Sequence, residues 1–476
     1  MNLSPAIVTP LDGGRTLYGS MYDAESGVGI DPTAVGYAEE EFLLSGVAGL
    51  WDTAAPGSPR RRDTWIRYRT RIVVRYPIDS ARASGVTHVE PLHPHMDAGL
   101  TWDGLAAHLV RRGDAWMGVT VYPDVARLMR EQLDPERYRP LLVPGGGTEW
   151  DILSDALEAL RDGRLAALPG TRVILSGWSA TGSFCRVFAR ERFAVARGGL
   201  VDAVGVFISS GGASSAGYPA LSASAAAIDD DDPRRTVRDV GVPVFEILSE
   251  TESETHRAQL REDSDDPDDT YRLYQLAGSA HIENRPGEWS THTRALSAAG
   301  VDTGGTAVRE ARTDARSDLI MRALLDRLIE WVDGTPPPRA PRFEYAQGQV
   351  PVQRMLHRDT DGNVVGGIRS PWVHAPLAVY TPHGTPVDDP DSGDGPAWTP
   401  LVDRTLAAGL VGTMRALPAQ QVRQRFPDES TYRRRFTDAT HALVADRLLG
   451  AEDAADLIGT VPQRWAAAMR EEHVDG

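Results

Sequence analysis

Near the start of the chain, apolar and polar residues alternate in short runs broken by Gly, Pro and Asp: TLYGSMY from Thr16, YAEEEFLLSGVAGLW from Tyr37 and TWIRYRTRIVV from Thr64. Alternation with period two predicts half-buried strands, so residues 1–76 read as a β-rich opening part. From about residue 85 the pattern changes. Strand-like runs GVTHVEPL, AWMGVTVY, TRVILSGWS, AVGVFISS, VPVFEILSE and TYRLYQLAG alternate with helix-like stretches such as DGLAAHLVRR, EWDILSDALEALRDGRL and SFCRVFARERFAV. The amphipathic helix SDLIMRALLDRLIEWV closes the series. Strand and helix in alternation predict a mostly parallel sheet with helices on both faces, an α/β core over residues 77–334. Its surroundings are equally legible. The Pro-rich connector Thr335–Arg342 can continue no helix. It leads to a turn between short β runs at DTDGNVVGGIRSPWVHAPLAVYTP, an acidic turn-rich loop, and helices from about Pro400 onward. The part 335–476 is therefore expected to be a mainly helical extension packed over the core and covering the active site.

Composition narrows the chemistry. The 476 residues carry 41% hydrophobic and 25% charged side chains, ordinary values for a folded globular chain. The net charge of −17 disfavours nucleic acid and anionic membranes as partners. All 50 Lys+Arg residues are Arg, which removes Schiff-base lysines, a pyridoxal phosphate anchor, the P-loop lysine and Ser–Lys dyads. Cys185 stands alone, so disulfides within the chain and Cys-rich metal sites are excluded. No stretch approaches 18 apolar residues and the first residues lack a signal-peptide pattern, so a cytoplasmic chain is expected. The acidic runs Asp229–Asp232 and EDSDDPDD, residues 262–269, read as solvated loops.

One segment has the order that nucleophilic catalysis needs. The strand TRVIL runs into Ser176-Gly177-Trp178-Ser179-Ala180-Thr181-Gly182 and then a helix, a nucleophile-elbow pattern with Thr181 in place of the final Gly and Gly182 one place later. A serine forced into a strand-to-helix turn needs small neighbours, and the helix after it aims N–H groups at the point where an oxyanion forms. Its base and acid should follow in the order acid, then His. VPVFEIL ends in Ser249-Glu250-Thr251-Glu252, and TYRLYQLAG ends in Ser279-Ala280-His281. His281 is the expected base. Glu252 is the preferred acid, because it falls three residues past the position where many such enzymes place a Gly, and Glu250 is the alternative.

The oxyanion site is expected from the Ala180 N–H together with the loop Leu92-His93-Pro94-His95-Met96-Asp97, where Pro94 has no N–H and His93 and His95 are the candidate residues. The same loop spells H-x-H-x-D, similar to the metal motif of metallo-β-lactamase-like hydrolases. Ala98 stands where a further His would follow, so neither a metal nor any other cofactor is expected. Cys185, inside the helix after the elbow, reads as a buried apolar residue. DGNVVGGIR lacks the glycine spacing of a dinucleotide site.

Several stretches together resemble the large α/β-hydrolase domain-containing family of bacterial serine esterases: YAEEEFLLSG, YRTRIVVRYP, GVTHVEPL, DPERY, GWSATG, SETE, GSAH and DGNVVGGIRSP, spread through almost the whole chain. The resemblance implies an α/β-hydrolase fold with added N- and C-terminal parts and a Ser–acid–His triad at Ser179 and His281. The chain departs from the family pattern at Pro91, His93 and Ala180, which border the oxyanion hole. The expected function is hydrolysis of a small-molecule carboxylic ester or lactone through an acyl-enzyme. Acyl transfer by the same triad and a ligand-binding pseudo-hydrolase are the alternatives.

Overall fold

A computed structural model describes residues 4–11, 17–55, 58–209, 235–255, 260–283, 290–300, 308–347, 355–387 and 404–470. The acidic run Asp229–Asp232 and most of the acidic loop before Pro400 lie outside the described residues. Two compact units are formed: Met1–Glu246, His256–Arg272 and Gly287–Gly304 in the first, and Ile247–Thr255, Leu273–Pro286 and Gly305–Gly476 in the second. The chain passes between them inside the strands Val244–Leu248 and Tyr271–Ala277.

In the first unit seven strands follow one another in the order Ile7–Pro10, Tyr37–Ala55, Ser58–Pro77, Ala115–Val119, Val86–Pro91, Arg172–Trp178 and Ala203–Phe207. The first three join antiparallel, as does Ser58–Pro77 with Ala115–Val119, and the last four are mutually parallel. Two of the expected N-terminal β runs therefore form one long hairpin, 19 and 20 residues per strand. Every residue of Val86–Pro91 and of Ala203–Phe207 is buried, the pattern of parallel strands covered on both faces. Helices Leu100–Arg112, Glu149–Arg161 and Ala180–Arg190 accompany them. Trp150 stacks on Phe184 at 4.4 Å between ring centroids, and Phe188 stacks on Phe193 at 5.4 Å, an aromatic layer that anchors the helix Ala180–Arg190.

The run TLYGSMY is not the strand expected. Residues 17–20 make a turn, and only Tyr22–Asp23 pairs, with Val28–Gly29. Distant side chains take the polar groups a strand neighbour would have taken. The Tyr18 N–H donates to Tyr138 Oη at 3.0 Å, its carbonyl accepts from Arg71 at 2.6 Å, and its hydroxyl donates to the Met96 carbonyl at 2.6 Å. The EDSDDPDD loop is likewise more than solvated charge, since Asp269 pairs with Arg261 at 2.5 Å and Asp265 pairs with Arg272.

The second unit carries the short helix Glu250–Thr255, a parallel pairing of the strand end at Leu276 with Ile368, and a three-stranded sheet in the order Ala311–Arg312, Thr413–Ala416, Ala378–Thr381. The helix Ser317–Val332 and the C-terminal helices Glu429–Ala445, Ala451–Gly459 and Val461–Arg470 complete it. The connector Thr335–Arg342 forms neither helix nor strand, and its Pro338 carbonyl accepts from the Tyr274 hydroxyl at 2.6 Å. No helix among the described residues is long and apolar enough to cross a membrane.

Candidate active site

From Val173 to Ala189 every residue is buried except Ser179 and Ala180. That exposure coincides with a bend. Ser179 has φ 60° and ψ −123°, a conformation L-residues seldom adopt, and the helix Ala180–Arg190 begins at the next residue. The bend is held from three sides. The Ser179 N–H lies 3.1 Å from the Phe207 carbonyl and 3.2 Å from that of Ile208, while the Ser179 carbonyl accepts from Ser183 at 3.0 Å. The Thr181 hydroxyl bridges back to the strand, accepting from the Trp178 N–H and donating to the Trp178 carbonyl, both at 2.9 Å. Close approach explains the glycines. A Cβ on Gly177 would lie 2.2 Å from the Thr181 carbonyl oxygen, and one on Gly182 would lie 2.8 Å from Ser209 Cβ and 2.9 Å from the Phe207 carbonyl oxygen.

The hydroxyl bridge gives Thr181 a purpose that a glycine at the same place cannot serve. Sequence reasoning treated it as a departure from a motif. It also missed Ile208, whose φ of 43° is rare for a β-branched residue and whose carbonyl faces the Ser179 N–H. Nothing in the run AVGVFISS signals it.

The loop after Val86–Pro91 leaves its strand beside the elbow. These two strands pair in parallel from Val86 with Arg172 to Val89 with Leu175, so the loop starts at the same end of the sheet as the elbow. The loop closes on itself, with Asp97 N–H donating to the His93 carbonyl at 2.8 Å and His93 N–H to the Ala98 carbonyl at 2.9 Å. The buried Glu90 carboxylate fixes its far end, accepting from the N–H groups of Thr101 and Trp102 at 2.9 and 3.0 Å and from Trp116 Nε1 at 2.7 Å. His93 is buried, and its Nδ1 accepts the His95 N–H at 3.3 Å, which places one of the expected oxyanion donors on a neighbour within the loop. Burial pushes the His95 imidazole below its ordinary value, against the pull of Asp124. The H-x-H-x-D spacing reflects structure. Asp97 accepts from Arg71 and from the Thr120 hydroxyl, both at 2.8 Å, and no group of three or more metal-ligating side chains occurs among the described residues. Cys185 is fully buried, and burial together with Glu90 pushes its thiol far up.

In the second unit the strand Tyr271–Ala277 ends just before the loop Gly278–His281, and the helix Glu250–Thr255 follows Val244–Leu248. Glu252 Oε1 meets His281 Nδ1 at 2.6 Å. Its other oxygen accepts from the Ser249 hydroxyl and, at 3.3 Å, from the Ser249 N–H. Burial raises the Glu252 carboxyl, but the attraction of His281 and the hydrogen bonds from His281 and Ser249 outweigh it and hold the group below the ordinary carboxylate value. Glu250 is spent elsewhere: Oε1 accepts the Gly278 N–H at 2.7 Å and Oε2 pairs with Arg358 at 3.0 Å. An imidazole whose Nδ1 is held by a buried carboxylate is oriented as a general base requires, and a serine on a strained strand-to-helix turn presents its hydroxyl at the foot of helix N–H groups. Ser249 and Thr251, whose hydroxyl accepts the His281 N–H at 3.2 Å, were not singled out by sequence reasoning.

A family model described as an alpha/beta hydrolase domain matches residues 7–459. Similar solved structures include a dienelactone hydrolase from Anabaena variabilis, 16% identical over 54% of this chain and 96% of that one, with a TM-score of 0.28. An esterase from Rhizomucor miehei is 11% identical over 56% of this chain and 85% of that one, TM-score 0.31. A carboxylesterase from Lactobacillus plantarum is 13% identical over 48% of this chain and 90% of that one, TM-score 0.30. Comparison with curated proteins gives no match.

Proposed function

The chain belongs to the alpha/beta hydrolase domain family, and from that premise we propose that it is a serine hydrolase of carboxylic esters acting through an acyl-enzyme. Ser179 Oγ attacks the acyl carbon while His281 Nε2 takes the hydroxyl proton, and Glu252 holds the ring with Nδ1 protonated and stabilises the imidazolium that forms. The N–H of Ala180 and a donor from the loop Leu92–Asp97 bind the oxyanion, an interaction worth about 100- to 1000-fold in rate per donor. As the tetrahedral intermediate collapses, His281 returns the proton to the leaving alcohol. Water then repeats the sequence on the acyl-Ser179 ester and frees the acid.

The observation that carries this reading is the backbone of Ser179, φ 60° and ψ −123° between a buried strand and a buried helix, at one of the two positions in that run that reach the surface. Strain of this kind is retained at sites where it orients a reacting group.

The test is to treat the purified protein with a fluorophosphonate probe, map the adduct by mass spectrometry, and assay Ser179→Ala on p-nitrophenyl esters of varied chain length. Labelling confined to Ser179, with ester turnover lost in the variant, is the expected result. A folded protein that is not labelled, or a Ser179→Ala variant that keeps its turnover, sinks the proposal.

A further inference from the structure

The first turn of the helix Glu250–Thr255 fastens the loop Gly278–His281 residue by residue. The Glu250 carboxylate accepts the Gly278 N–H at 2.7 Å, and the Glu250 backbone N–H donates to the Ser279 carbonyl at 3.3 Å. Thr251 Oγ1 accepts the His281 N–H at 3.2 Å, and Glu252 reaches the ring at 2.6 Å. Three of these four bonds fix where the His281 backbone sits before the fourth aligns its ring.

Of the three backbone contacts, only the one to Gly278 depends on a buried carboxylate. Glu250 is 1% exposed, and burial pushes its carboxyl up to about 7 even with the Arg358 guanidinium pulling the other way. An unpaired carboxylate in that setting would take up a proton or turn toward water. Arg358 opposes this, and its own place is fixed by contacts with the Gly362 carbonyl at 3.3 Å and the Tyr380 carbonyl at 3.5 Å. Gly362 belongs to the DGNVVGGIR stretch, whose Asp359 neighbour accepts the N–H groups of Asp361 and Asn363, both at 3.0 Å. That stretch had no function assigned by its pattern.

Resting on the Ser179 reading above, we infer that Glu250 and Arg358 form a positioning pair for His281. Glu250 ties the Gly278 N–H to the same helix that presents Glu252, and Arg358, braced by the 358–362 turn, keeps the carboxylate on that N–H. Neither residue touches the reacting atoms in this account. Their effect is exerted through the placement of the imidazole, where an error of about 1 Å costs on the order of 100-fold in rate.

The experiment compares two variants that both lack the buried charges, Glu250→Gln with Arg358→Met and Glu250→Ala with Arg358→Met. The amide of the first still offers an oxygen to Gly278, whereas the methyl of the second does not. Turnover of p-nitrophenyl esters and the rate of fluorophosphonate labelling are read well below the melting temperature of each variant. The Gln variant should keep kcat within about threefold of the parent. The Ala variant should lose about 10- to 100-fold in kcat and in labelling rate, with KM changed by less than about twofold. A purely structural role would lower the melting temperature of the Ala variant and leave kcat alone, and that result overturns the inference, as does a loss that falls on KM. If neither double variant folds, Glu250→Ala alone gives the same reading, because Arg358 retains Glu254 at 3.8 Å. A parent protein that is not labelled at Ser179 removes the underlying function. A labelled parent with an unimpaired Ala variant removes this inference only.

Discussion

Exchanging Glu252 for Gln preserves the size of the side chain and replaces one oxygen by an NH2 group, and Ser249 decides which way the amide turns. Among the described residues, Glu252 Oε2 faces two donors, the Ser249 hydroxyl and its N–H at 3.3 Å, whereas Oε1 faces only His281 Nδ1 at 2.6 Å. The amide oxygen therefore stays on Ser249, and the NH2 group donates to Nδ1. A ring nitrogen that accepts a hydrogen bond carries no proton, so the neutral imidazole holds its proton on Nε2, the atom required to receive one from Ser179. The ring keeps its place and takes the wrong tautomer. In the Ser–His–Asp template the equivalent exchange lowers kcat by about 10,000-fold, or about 5.5 kcal/mol at about 1.4 kcal/mol per decade. The same loss is expected for Glu252→Gln in p-nitrophenyl ester turnover and in the rate of fluorophosphonate labelling, with KM nearly unchanged. Adding Ser249→Ala removes one of the two donors that bias the amide and should restore roughly 10-fold. A folded Glu252→Gln protein with more than about a tenth of the parent rate refutes the reasoning.

Because His281 and Ser249 hold the Glu252 carboxyl below its ordinary value, it is ionised throughout the acid limb of the pH profile. log kcat/KM should then fall with unit slope on the acid side, and a slope of two would show Glu252 titrating there. Asp114 is buried, which raises its carboxyl, yet hydrogen bonds and charge from His88 and Arg112 and a hydrogen bond from Ser84 lower it to about 2. A folded-state value below the unfolded one stabilises the protein above about pH 4, and the contribution is lost as pH falls toward 2. Asp114→Asn should therefore cost about 2 kcal/mol near pH 7 and progressively less below pH 4. Denaturation at both pH values checks this, and an equal penalty at each contradicts it. Thr181→Val keeps the side-chain shape but withdraws the hydroxyl from the buried Trp178 N–H and carbonyl, and should destabilise by about 2–4 kcal/mol. Thr181→Gly, which writes the usual elbow pattern, should be no more stable than Thr181→Val, and a gain over the parent in denaturant titration would contradict the bridging role.

What could be read from the chain depended on how far each residue's partner lies along it. The elbow is a local construction. Strand, small residues, serine and helix adjoin one another, so a pattern of seven residues located Ser179 and the turn that strains it. The long hairpin was legible as two β runs for the same reason, since alternation is local even though pairing is not. TLYGSMY misled because the groups that bond Tyr18 come from Arg71, Met96 and Tyr138, up to 120 residues away. H-x-H-x-D likewise spells a metal motif locally, while Asp97 takes its bonds from Arg71 and Thr120, 26 and 23 residues away. In each case local spacing was the same under either reading, and the side chain arriving from elsewhere decided between them.

The three glutamates of the helix Glu250–Thr255 carry this point into the chemistry of the site. They are one residue type at alternate positions, and pattern alone separates them poorly. The structure separates them by partner. Glu252, bonded to His281 and twice to Ser249, is held low, while Glu250, equally buried and facing one guanidinium and one amide, is raised to about 7. Glu254 pairs with His383 at 2.8 Å, and the same contact raises His383. Where neighbouring groups of one kind are driven apart in this way, their roles are assigned by environment. A carboxylate that stays charged beside an imidazole can stabilise an imidazolium during turnover. One that needs a guanidinium to remain charged is suited to holding a backbone N–H in a fixed place. On that ground Glu252 is the group we propose to act with His281, and Glu250 the group we propose to set where His281 sits.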